Sequence, residues 1–189
     1  RIQRWSAQFI PPELLGTHIG ADPGHQTGRS LSFSFRALTA LFGHAGVERD
    51  ITKLSSSELA ELKSWIKLYK QKRELLHSGD VIRIDYPKDS HYLHGVISKD
   101  KRSALFSFSC LETIPESHPP RLRIRGLDSD RKYRVEAISG IQNSNFMAIE
   151  APKWLTTALE LTGSELENIG LSAPILRPAS ALLIEITAL

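Results

Sequence analysis

Apolar residues along the chain follow two different rhythms. Ile2, Trp5 and Phe9 recur at helical spacing and predict an amphipathic helix over 1–9, stopped by Pro11-Pro12. Leu14-Leu15-Gly16-Thr17-His18-Ile19-Gly20 is a short, mainly apolar run ending in glycine, as a buried strand would be. Asp22-Pro23-Gly24 is turn chemistry. Ser30 to Phe35 alternates like a strand, but the run to Leu41 favours a helix, with Thr27 as its expected cap. Gly43 and Gly46 bracket a turn or short strand that runs to Glu48.

The clearest helix is predicted over 55–77. Ser55 and Glu58 have capping-box spacing, and Leu59, Leu62, Ile66, Tyr69, Arg73 and Leu76 form one stripe. Gly79 stands where a helix terminator belongs. Beyond it the rhythm changes. Runs 81–86, 93–97, 104–110, 122–125, 133–138 and 181–186 read as strands separated by turn residues, and 154–169 as a helical insertion. The reading is therefore α/β over 1–77 and an antiparallel β-sandwich over 78–189. A parallel strand needs both faces covered. Two strand–helix units cannot wall in Ile10, Leu14, Leu15, Ile19, Phe33 and Leu38, so the first part is expected to borrow its surroundings.

Composition narrows the classes. At 189 residues, 41% hydrophobic and 24% charged, the chain is globular in type. No apolar run approaches the length of a membrane span. A net charge of +3 is too small to imply nucleic-acid binding. Six basic and two acidic residues cluster over 121–134, and Arg121, Arg123 and Arg125 would share one face of a strand. A solvated sheet face is the plainer reading of that cluster, and a phosphate grip the sharper one. Cys110 is alone, which excludes an internal disulfide, and it reads as a small buried hydrophobe. His18, Asp22 and His25 match no zinc spacing, and Asp128-Ser129-Asp130 lacks the glycine and distal glutamate of a calcium loop. No metal and no cofactor is expected.

Several motifs together resemble bacterial α-galactosidases of glycoside hydrolase family 36. Pro12-Glu13-Leu14-Leu15-Gly16-Thr17-His18 is similar to that family's P-E-x-M-G-A-H, and Pro23-Gly24-His25-Gln26-Thr27-Gly28-Arg29 to P-N-H-Q-T-G-R. Phe35-Arg36 follows as F-R, and the stretch from Phe42 to Asp50 resembles F-G-x-x-G-x-E-x-D. Tyr69 to Arg73 resembles Y-K-x-x-R, and Gly126-Leu127-Asp128 with Tyr133 resembles G-L-D-x-x-x-x-Y. Gly24, Leu15 and Ser129 depart from the family's usual Asn, Met and Pro.

The resemblance implies that 1–77 are the last two strand–helix units of a catalytic (β/α)8 barrel and 78–189 its C-terminal β-sandwich. It implies a retaining enzyme acting on terminal α-galactosyl residues of melibiose- and raffinose-type sugars. Such chemistry needs two carboxyl groups roughly 5 Å apart. In the family both lie in segments that precede the position of Arg1, so no catalytic residue is assigned and the isolated chain is expected to be inactive. The chain opens on Arg1 rather than Met, which fits polypeptide ahead of it. His18 would stand at the C-terminal end of a barrel strand, where barrel chemistry sits, with His25 and Arg29 in the following loop. These three are the candidate substrate-pocket residues, against the plainer readings of a core histidine and loop packing. The resemblance further implies a galactoside substrate and a homo-oligomer; the charge and the apolar runs lead to the expectation of no nucleic-acid or membrane partner, and the lack of disulfides to that of a bacterial cytoplasmic location. The alternative is a stand-alone carbohydrate-binding β-sandwich module.

Overall fold

The computed structural model describes residues 2–138 and 151–189. The chain divides into two compact units, Arg1–His77 and Ser78–Leu189.

The first unit contains α1 (Ile2–Ser6), β1 (Gly16–Gly20), α2 (Phe33–Leu41), β2 (His44–Glu48) and α3 (Ser56–Ser78). Helix α1 is shorter than the spacing predicts, and Arg1 lies outside the described residues. Its stripe of Ile2, Trp5 and Phe9 is exposed, as are Ile10 and Leu14. These side chains have the helical and strand rhythm of a core without a wall to face. Strands β1 and β2 pair in parallel as a two-stranded sheet, Gly16 opposite His44 through Gly20 opposite Glu48. Two successive strand–helix units thus form an open fragment of a (β/α)8 barrel, and among the described residues no barrel closes.

Helix α2 starts later than expected. Ser32, not Thr27, is its cap: the Ser32 hydroxyl accepts from the Phe35 N–H. Thr27 instead accepts from the Arg29 N–H within the preceding loop. In α3 the reciprocal pair is present: the Glu58 N–H donates to Ser55 Oγ at 3.2 Å, and the Ser55 N–H donates to Glu58 Oε2 at 2.9 Å. The buried stripe is rotated from the predicted one. Leu62, Trp65, Leu68 and Leu76 are buried, while Leu59, Ile66 and Arg73 are exposed. Both stripes have helical period; the tryptophan's larger apolar area belongs to the buried one.

The second unit is an antiparallel β-sandwich. One wall is a six-stranded sheet in the order β3-β4-β5-β8-β6-β7. Its strands are β3 (Asp80–Ile84), β4 (His91–Ile97), β5 (Ser103–Cys110), β6 (Lys132–Ala137), β7 (Leu159–Thr162) and β8 (Ser180–Ala188). Strand β5 is buried almost from end to end, so Leu105 and Ser107 are covered as fully as Phe106 and Phe108. The sequence nevertheless alternates, with Ser107 and Ser109 on the face opposite Phe106 and Phe108, so that second face is covered although it is partly polar. Among the described residues, the layer over the Phe106 face is mostly irregular chain. Leu122, Ile124, Leu127, Trp154, Leu166 and Leu171 fill it.

The stretch 122–125 is not a strand. It makes a single antiparallel bridge, Leu122 to Leu171, and the Ile124 N–H donates to the Leu166 carbonyl. The alternation of buried Leu122 and Ile124 with exposed arginines persists without a ladder, because the segment lies on the core and among the described residues meets only the single bridge at Leu171. The predicted helical insertion resolves into a short turn of helix at Lys153–Leu155, strand β7 and helix α4 (Gly163–Asn168). Thr162 and Glu165 cap α4 reciprocally. Cys110 is buried as predicted, and burial pushes its thiol pKa up.

Candidate functional site

Side chains alternate between the faces of a strand, and partners in a parallel pair share a face. Thr17 and Ile19 are the buried positions of β1. The Thr17 hydroxyl donates to the Ala40 carbonyl at 2.6 Å, so helix α2 covers this face. Close approach is built in at Gly43, where a Cβ would sit 2.6 Å from both the Leu15 carbonyl oxygen and Thr17 Cγ2.

The opposite face carries Gly16, His18 and Gly20 from β1 and His44, Gly46 and Glu48 from β2. Half of these positions have no side chain, and none carries an apolar one. A packed barrel layer is filled by branched apolar residues. This bare wall with polar groups is instead shaped like the side of a site. His18 and Glu48 stand on its C-terminal half, with His18 Nδ1 3.7 Å from Glu48 Oε2. The imidazole lies across Gly46: a Cβ there would be 3.0 Å from His18 Cδ2 and 3.5 Å from Nε2. His44, at the other end, has its Nδ1 3.3 Å from the Glu13 carbonyl oxygen.

The loop after β1 is held from within. The Gly24 N–H donates to the Arg29 carbonyl, the Gly28 N–H to the Gly24 carbonyl, and the Leu31 N–H to Asp22 Oδ1. Gly28 has a φ of 64°, in the left-handed region that favours glycine. Arg36 anchors the loop through Gly20 and Leu31 carbonyls. Burial lowers the Arg36 pKa, and the Asp22 charge opposes that shift. His25 and Arg29 project from this loop into solvent, and among the described residues neither side chain makes a hydrogen bond or ion pair. The structure therefore brings His18 to Glu48 and does not join it to His25 or Arg29.

The sequence motifs alone assign Glu48 no role. Its signal was present in His44-Ala45-Gly46-Val47-Glu48, where every second position lacks an apolar side chain. The other carboxylates nearby are engaged. Asp50 accepts from the Thr52 N–H and hydroxyl, which hold its carboxyl below the usual range. Glu58 is committed to the start of α3 and pairs with Arg49.

The second unit holds a groove of about 280 Å³ lined in part by His91, Cys110, Glu112, Glu116 and Leu176. His91 is stacked on Phe108 and its pKa is lowered by burial, against the pull of Glu116. The arginine cluster is tied to backbone. Arg121 donates to the Ile169 and Gly170 carbonyls, Arg125 to the Arg83 carbonyl, and Arg131 to those of Asp100 and Lys101. Asp128-Ser129-Asp130 is a turn in which the Asp130 N–H donates to Asp128 Oδ1. Among the described residues no cluster of histidine, cysteine or carboxylates is arranged to hold a metal, and no helix is long and apolar enough to cross a membrane.

Comparison with known proteins matches both units. Residues 1–79 match the family model Melibiase, and residues 92–186 match the glycosyl hydrolase family 36 C-terminal domain. The chain is 37% identical over 188 residues to an α-galactosidase of Escherichia coli, covering 97% of this chain and 27% of that protein. It is 32% identical over 141 residues to the α-galactosidase AgaA of Geobacillus stearothermophilus, covering 73% of this chain and 19% of that one. Among solved structures, AgaA in complex with raffinose superposes with a TM-score of 0.80 at 26% identity, over 100% of this chain and 24% of that one. The galactosidase domain of the α-galactosidase–sucrose kinase AgaSK does so with a TM-score of 0.82 at 27% identity, again over 100% and 24%. The chain thus spans about a quarter of the length of such relatives. With both units matched in order, the chain belongs to glycosyl hydrolase family 36 and is similar to the C-terminal part of its melibiase-type α-galactosidases.

Proposed function

We propose that this chain is part of a retaining α-galactosidase that removes terminal α-galactosyl residues from melibiose- and raffinose-type sugars. Residues 1–77 contribute the last two strand–helix units of its catalytic barrel, and residues 78–189 are its C-terminal domain. The observation that carries this reading is the bare, polar wall of β1 and β2, together with the exposure of Phe9, Ile10 and Leu14. A lone parallel pair with uncovered apolar side chains and a glycine-lined face has the make-up of one side of a larger barrel.

The two reacting carboxyl groups come from residues outside this chain. Asp22, Glu48, Asp50 and Glu58 each already have a partner, which supports that reading. His18, His25 and Arg29 line the substrate pocket, with His18 on the wall and the other two on the loop above it. The active enzyme is a homo-oligomer of the bacterial cytoplasm that takes a galactoside as its substrate.

The test is hydrolysis of a chromogenic α-galactoside by the 189-residue chain and by the complete gene product that contains it. Turnover by the complete product, with none above buffer for the isolated chain, is the expected result. Turnover by the isolated chain would show that the reacting carboxyl groups are among these residues.

A further inference from the structure

The face of β1 and β2 that carries the candidate pocket sets the His18 ring beside the Glu48 carboxylate, on a stretch of wall whose neighbouring positions at Gly16, Gly20 and Gly46 are bare. Three features define its geometry. The imidazole lies over Gly46, where even a methyl group would crowd Cδ2 at 3.0 Å. Glu48 Oε2 lies 3.7 Å from Nδ1. Among the described residues Glu48 is the polar partner that His18 has, and His18 Nε2 makes no hydrogen bond. About half of the His18 side chain is exposed.

A carboxylate charge turned toward one ring nitrogen, here across 3.7 Å without a hydrogen bond, favours in the neutral imidazole the tautomer with its proton there and leaves the other nitrogen to act on a ligand. We propose that Glu48 is a positioning residue: it orients His18 so that Nε2 accepts a hydrogen bond from a hydroxyl of the bound sugar, along the space left open by Gly16, Gly20 and Gly46. This assignment rests on the α-galactosidase reading above. It adds a residue whose effect passes through His18, and it gives Gly46 a reason to lack a side chain. Contacts to sugar hydroxyls strengthen in the transition state of a retaining glycosidase, so the loss falls on kcat/KM with a component in kcat.

The experiment uses the complete gene product that contains these residues, assayed with a chromogenic α-galactoside. Glu48→Gln removes the carboxylate charge from a side chain that is itself well exposed, and it is expected to lower kcat/KM about tenfold with no change in melting temperature. Gly46→Ala, which crowds the ring without touching a charge, is expected to give a similar loss. In a His18→Gln background neither change is expected to cost more than about twofold, because a residue that acts through His18 has nothing left to position. Wild-type kinetics in Glu48→Gln, or losses of Glu48→Gln and His18→Gln that multiply independently, would overturn the assignment and leave the α-galactosidase reading standing. A wild-type product that hydrolyses no α-galactoside would overturn both.

Discussion

The backbone N–H of Asp128 donates to the hydroxyl of Tyr133 at 3.0 Å, and that hydroxyl donates onward to the Lys101 carbonyl at 2.8 Å. Tyr133 is fully buried on β6, so its oxygen ties the turn after Gly126-Leu127 and the β4–β5 turn to one point of the core. Removing the oxygen takes the acceptor from the Asp128 N–H and leaves the Lys101 carbonyl with Arg131 alone. Tyr133→Phe is expected to cost about 1–3 kcal/mol while the core keeps its shape. Urea unfolding followed by tryptophan fluorescence measures it.

Glycines at close approaches differ sharply from those in open space. A Cβ at Gly95 would lie 2.3 Å from the Leu105 carbonyl oxygen and 2.6 Å from the Phe106 ring, both on the neighbouring strand. Gly95→Ala is expected to destabilise by about 3 kcal/mol or more. Nothing lies within 4 Å of a Cβ at Gly20, so Gly20→Ala is expected to stay within about 0.5 kcal/mol of wild type. Thermal melts of the two variants check the contrast.

Two helix starts should share one pH response. The Ser55 N–H and hydroxyl hold the Glu58 carboxyl below the usual range, and Thr162 does the same for Glu165. A carboxyl whose pKa is lowered in the fold stabilises the fold above the unfolded value and loses that contribution as pH falls through the folded one. Both contributions are therefore complete at neutral pH and disappear on acidification below the ordinary carboxylate range. Melting temperature as a function of pH should show a shallower acid limb in the double variant Glu58→Gln, Glu165→Gln.

Cys110 is nearly inaccessible, and burial raises its thiol pKa, so little thiolate is present at neutral pH. The folded chain is expected to react with Ellman's reagent at least tenfold more slowly than the chain in denaturant, where the thiol is free. Comparable rates in the two conditions would contradict the burial.

Arg121 lies over the C-terminal end of α4, with Nε 2.7 Å from the Ile169 carbonyl oxygen and one terminal nitrogen 2.7 Å from that of Gly170. Arg121→Ala is expected to cost about 1 kcal/mol. Arg121→Lys is expected to recover little of it, because one ammonium cannot match the fork that spans both carbonyls. Calorimetric melts of the two variants make the comparison.

Features legible in the residues alone are local or repetitive. The Ser55–Glu58 cap spans three residues, and its partners find each other as soon as a helix starts. The strand-rich texture after Gly79 follows from period-two runs and turn residues, and the Pro12–Arg29 and Phe42–Asp50 motifs carry the family. Phase and partnership depend on packing in three dimensions. The α3 stripe is set by which face meets a neighbour, and two stripes of equal period were available. The 122–125 stretch has the alternation of a strand, but a ladder needs a second strand beside it, and Leu171 supplies one bridge. His18 and Glu48 are thirty residues apart in sequence. Only the parallel register of β1 and β2 sets them on one wall, because burial of Thr17 against α2 turns every alternate position to the other side.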